Sequence, residues 1–132
     1  MRVIRAIRLF TIVVGDYDEA LEFYVGKLGF TVLENTDLGG GKRWVRVAPT
    51  ADAPVAMLLA RAVGKEQGDS VGNQTGGRVF VFLETDDLAR DHALLESRGV
   101  RFVRPPREEP YGKVAVFEDL YGNPFDLIEP PR

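Results

Sequence analysis

The sequence predicts an α+β protein built from two tandem βαβββ modules, and three observations carry that prediction. β-Branched apolar runs end in glycine or acidic turns, two segments with helical spacing lie between an acidic cap and a glycine stop, and the whole order recurs about 70 residues later. In the first module, Leu9-Phe10-Thr11-Ile12-Val13-Val14 stops at Gly15-Asp16 as a buried strand entering a turn. Asp16 with Glu19 forms the pattern of a helix cap, and Leu21, Tyr24 and Leu28 then repeat at helical spacing until Gly29. Phe30 to Leu33, Arg43 to Val47 and Val55 to Leu59 supply three further strands, with Gly39-Gly40-Gly41 as a turn between the first two.

The second module repeats the order. Val79 to Leu83 reads as a strand, Asp86-Asp87 as a cap region, and Leu88, His92 and Leu95 as the apolar stripe of a helix that stops at Gly99. Val100 to Val103, Lys113 to Phe117 and Phe125 to Ile128 complete it. Asp16 matches Asp87 at a shift of 71, and Gly29 matches Gly99 at a shift of 70. Residue identity between the halves is low, so pattern is what repeats. The sequence is expected to form a single domain over residues 1–132, with module one at about 5–61 and module two at about 78–130. The stretch at about 62–77, rich in Gly, Gln, Asn and Ser, reads as a linker between them.

Composition narrows the function classes. A chain of 132 residues buries about two-thirds of its unfolded surface and needs no covalent staples. Cysteine is absent, which removes disulfides and thiolate metal ligands, and no signal peptide is visible, so a cytoplasmic location is expected. No apolar run reaches the roughly 20 residues of a membrane span. A net charge of -3 with mixed signs argues against a nucleic-acid partner. The group Arg98, Arg101, Arg104 and Arg107 is interrupted by apolar residues and two prolines, as expected of a solvated strand face.

The run from Val14 through Asp16, Glu19, Phe23 and Tyr24 to Leu28-Gly29-Phe30 resembles the opening of vicinal oxygen chelate proteins, the superfamily of glyoxalase I, bleomycin-resistance proteins and extradiol dioxygenases. Phe117-Glu118-Asp119-Leu120-Tyr121-Gly122-Asn123-Pro124-Phe125 resembles the turn that leads into the family's last strand, with Leu120 where proline is usual. In that turn, Gly122 supplies a positive φ and Asn123 tolerates the left-handed region. The resemblance covers Arg8 to Glu129. It implies that the modules form a cup-shaped mixed sheet with helices on the outer face. Metal-dependent relatives take ligands from the first and last strand of each module.

Here those positions fall on Leu9, Ala56, Phe80 and Asp126, of which only Asp126 carries a donor. One carboxylate cannot hold a divalent ion tightly, so no metal or other cofactor is predicted, a divalent metal being the alternative. His92 lies on the apolar helix stripe and reads as a packing residue. Phe23 and Tyr24 read as packing aromatics. Glu84 shares a strand face with Phe80 and Phe82 by period-two alternation, and its bland reading is an exposed carboxylate at a strand end. Arg43 and Arg46 read as solvated charges near the cup rim.

Two functions follow. The first is binding of a small organic molecule in a cup lined by Leu9, Thr11, Trp44, Phe80, Phe82 and Asp126, where an acidic aromatic wall favours a planar cationic ligand. The second is catalysis as a lyase, isomerase or dioxygenase, metal-dependent or with Asp126 or Glu84 as general base. Glyoxalase I activity is the least supported enzyme reading. A two-fold homodimer is expected, because small modules leave sheet edges and apolar faces.

Overall fold

A computed structural model describes residues 1–132 and divides them into two units, Met1–Asp69 and Ser70–Arg132. The first unit begins with strand β1 (Leu9–Val14), helix α1 (Tyr17–Leu21) and a π-helical turn over Glu22–Lys27, followed by β2 (Thr31–Gly39), β3 (Lys42–Ala48) and β4 (Ala56–Arg61). Its sheet has the order β1-β4-β3-β2, with β1 parallel to β4 and the other pairs antiparallel.

The helix of this unit starts as its sequence predicts, with the Glu19 amide donating to Asp16 Oδ2 at 2.9 Å. It departs from the expected single α-helix after Leu21. The Leu28 amide reaches back five residues to the Phe23 carbonyl at 3.0 Å, the bonding that defines a π-turn. An extra residue in the turn changes which side chains face inward. Consecutive residues Phe23 and Tyr24 are consequently both buried, with their rings edge-on at 5.2 Å, where a regular helix stripe accommodates neighbours less well. Arg43 is not a solvated charge. Its guanidinium lies 5.1 Å from the Tyr17 ring centre and bonds Asp18 at 2.9 Å, while its backbone amide donates to the Tyr17 hydroxyl. These contacts tie α1 to β3.

The stretch expected to be a linker holds helix α2 (Gly64–Ser70). The Val63 amide donates to Gln67 Oε1, and Lys65 pairs with Asp69 four residues on, so the polar residues that suggest a loop satisfy one short helix.

The second unit continues with β5 (Val81–Glu84), α3 (Leu88–Ser97), β6 (Arg101–Glu109), β7 (Gly112–Glu118) and β8 (Pro124–Glu129). Its sheet has the order β5-β8-β7-β6, again with a parallel first-to-last pair. Asp87 caps α3 by accepting from the Arg90 amide at 3.0 Å, and Gly99 ends the helix segment at φ 83°. Strand β6 runs well past the expected Val103. Pro105-Pro106 do not stop it, because β6 is an edge strand and its pairing with β7 shifts register on the way.

Phe102, Phe117 and Phe125 form the aromatic core of this unit, with Phe117 and Phe125 stacked at 5.2 Å. His92 meets Phe102 edge-on at 4.4 Å from α3, as a packing residue does.

The turn between β7 and β8 is built around Asp119. Its Oδ1 accepts from the Tyr121 and Asn123 amides and its Oδ2 from Asn123 Nδ2, each at 2.9 Å. Gly122 takes the positive φ, at 97°, whereas no non-glycine residue does. Asn123 therefore serves as a fully buried hydrogen-bonding hub instead of a left-handed residue. Its Oδ1 also accepts from the Gln74 amide at 3.3 Å.

Candidate functional site

In each unit one sheet face packs against a helix, and the opposite face carries the residues singled out in the sequence. In the first unit, Ile12, Val14, Val45, Val47 and Leu59 are fully buried on the face that α1 covers. Alternation sends their neighbours to the other side. Leu9, Thr11, Trp44 and Arg46 share that helix-free face, where Thr11 is exposed and the other three are half-buried. Arg46 bonds Glu34 Oε1 on the adjacent strand at 3.1 Å, so this face carries a charge pair across its aromatic and aliphatic surface.

In the second unit, Phe82, Asp126 and Val116 lie side by side across β5, β8 and β7. The β5 residue opposite Asp126 is Phe82, which shares its face with Phe80 two residues earlier. Phe80 stands just before β5, with its ring edge-on to Phe125 at 6.0 Å. Phe82 is 66% exposed. Glu84 ends β5 on the same face as Phe82 and Asp126, opposite Ile128, and is exposed.

Asp126 is the most unusual polar group on this face, being only 8% exposed. Burial pushes its carboxyl above the ordinary aspartate range, and the cations Arg107 and Arg104 pull in the opposite direction without overcoming it. Neither arginine was among the sequence candidates. The signal that masked them is the Pro105-Pro106 pair, which reads as a break in the strand and hides the alternation that aligns them with Asp126.

The sign of the Asp126 shift makes a prediction. A carboxyl whose folded pKa is raised disfavours the folded state once ionised, so its cost is fully present above the folded pKa and disappears as pH falls below the unfolded value of about 3.9. Asp126→Asn is therefore expected to be more stable than the parent near neutral pH, with the difference closing on acidification. Urea denaturation of both proteins at several pH values measures this. A variant less stable at neutral pH would show that the carboxylate is favourably paired.

The donor set does not fit a divalent metal. Leu9 lies opposite Ala56 in the first sheet, Phe82 opposite Asp126 in the second, and no three His, Asp or Glu side chains are gathered so as to hold a metal ion. Hard cations need several oxygen ligands and zinc three or four donors.

The model of the Glyoxalase/Bleomycin resistance protein/Dioxygenase superfamily matches residues 6–127, and the chain belongs to that superfamily. An uncharacterized protein of Shewanella frigidimarina (strain NCIMB 400) is 56% identical over 119 residues, 89% of this chain and 88% of that protein. Among solved structures, UcmS2 is similar at a TM-score of 0.83 and 31% identity, covering 98% of this chain and 99% of that one. TnmS3, an antibiotic binding protein from Streptomyces sp. CB03234, is similar at a TM-score of 0.80 and 31% identity, covering 99% of this chain and 100% of that one.

Proposed function

We propose that this protein binds a small aromatic organic molecule on the helix-free faces of its sheets. The observation that carries the reading is Asp126, a mostly buried carboxylate set beside the exposed ring of Phe82. A mostly buried acid that no other side chain neutralises by direct hydrogen bonding costs folding stability, and a ligand group that bonds to it offsets that cost. Trp44, Leu9 and Thr11 give the first sheet a comparable aromatic and apolar surface with a polar anchor. The similarity to TnmS3, an antibiotic binding protein, supports the same class of function.

One observation favours catalysis as a second reading. Burial raises the Asp126 carboxyl toward the range in which a carboxylate acts as general base near neutral pH. Glu84, exposed at the end of β5, has no comparable environment.

The test is a thermal-shift screen with planar aromatic compounds, followed by titration of the hits. Asp126→Asn is expected to weaken a hit by about 10- to 100-fold, the cost of losing a partly desolvated hydrogen bond. Trp44→Ala is expected to weaken hits that stack on the first sheet, whereas His92→Ala changes stability and leaves affinity intact. Affinity that survives Asp126→Asn but not His92→Ala defeats the proposal. Turnover of a bound compound by the parent, abolished in Asp126→Asn, selects catalysis instead.

A further inference from the structure

On the helix-free face of the second sheet, one cation carries hydrogen-bonding capacity that the protein does not use. Arg107 follows Pro105-Pro106 on edge strand β6, whose pairing with β7 shifts register between Phe102 and Arg104 and again between Arg104 and Arg107. Such irregularities re-aim side chains. The second shift passes over the two prolines and sets Arg107 opposite Val114, while Arg104 stands opposite Val116, itself paired with Asp126. Both arginines therefore share the face of Asp126 and Phe82.

The bonding of Arg107 is incomplete. Glu109 accepts its Nε–H at 2.8 Å, yet its Nη1 is enclosed without an acceptor. The side chain as a whole keeps 37% exposure, so the guanidinium is within reach of a molecule on this face. An enclosed donor without a partner costs the resting protein free energy that an arriving acceptor returns. A guanidinium also meets a carboxylate or carbonyl through two coplanar N–H groups, which an ammonium cannot do.

We propose that Arg107 is the specificity-determining residue of this face, selecting planar aromatic ligands that carry a carboxylate, phenolate or carbonyl oxygen over cationic ones. The proposal rests on the binding function above: the ligand bonds Asp126 through an N–H or O–H and Arg107 through an oxygen, and the oxygen, not a net positive charge, decides the preference. Arg104 and Arg107 stand on the same face as Asp126 and offset its charge there. The aromatic body of the ligand lies against Phe82 and Val116, and its oxygen meets the Arg107 fork.

Two probes of one shape and opposite charge, 2-naphthoate and 2-naphthylmethylammonium, test this in the full chain by NMR titration of the Phe82, Val114, Val116 and Asp126 amides. Naphthoate is expected to shift these signals and to bind at least about tenfold more tightly than the ammonium probe. Arg107→Lys is expected to weaken naphthoate by about tenfold, because a point charge replaces a planar fork. Arg107→Leu brings the two probes close to parity. A parent protein that prefers the ammonium, or naphthoate affinity unchanged in both variants, overturns the role of Arg107 and leaves the binding function standing. Absence of shifts with either probe at saturating concentration overturns both.

Discussion

Asp119→Ala is expected to lower stability by about 3–5 kcal/mol, since hydrogen bonds to a charged group are worth about 1.5–3 kcal/mol each and three are lost together. The loss is less than additive, because the Tyr121 amide regains water when the turn loosens. Asn123 cannot do the same. It is fully buried, so its amide is left with an unmet donor beside the start of β8. Asp119→Asn separates the contributions, because it retains an acceptor for the two backbone amides but no longer offers a second carboxylate oxygen to Asn123. Urea denaturation should place Asp119→Asn between the parent and Asp119→Ala. A loss under about 1 kcal/mol for alanine would mean that the turn is held by its backbone alone.

Phe117→Ala is the second large effect, with an expected cost of about 3–5 kcal/mol from lost burial and the cavity left behind. Phe117 is fully buried between Phe125, stacked at 5.2 Å, and Phe102 at 5.7 Å, so neither neighbour can fill the space without abandoning its own contacts. Domains of this size have total stabilities of about 5–15 kcal/mol. The variant should therefore unfold at much lower urea concentration with an unchanged slope. His92→Ala is expected to cost less, because His92 touches only the Phe102 end of the cluster and is partly exposed. Equal losses for the two would show that the cluster does not bear the load assigned to Phe117.

Local signals were legible in the sequence wherever one residue decides a local conformation. Asp16 and Asp87 cap their helices, Gly29 and Gly99 take positive φ after them, and the alternating runs become strands. Most of what escaped depends on partners distant in the chain. The π-turn at Glu22–Lys27 reflects the advantage of burying both Phe23 and Tyr24, which helix periodicity does not express. The pairing of Phe82 with Asp126 is a register choice between two strands, and a slip of two residues would preserve the same pattern of faces. The faces of Leu9, Thr11, Trp44, Phe82 and Asp126 follow from alternation, whereas Arg107 joins Asp126 only through a strand irregularity. Helix α2 escaped for a local reason: Gly64 and Gly68 weigh toward a loop, while its stabilising pairs, Lys65 with Asp69 and Val63 with Gln67, are visible only at helical spacing.

The pairing of β1 with β4 and of β5 with β8 has a consequence for how the chain is made. In each sheet the first strand to leave the ribosome waits for the last, because its parallel partner is the final strand of its own unit. Contacts of this kind are slow to form, since a long loop must close before any bond rewards it. The two waits are nevertheless separate: every strand of the first sheet has been synthesised by Arg61, before β5 begins at Val81. The first ladder is complete in sequence while the second is still unmade, so the strands waiting for a partner at any moment belong to one four-stranded sheet.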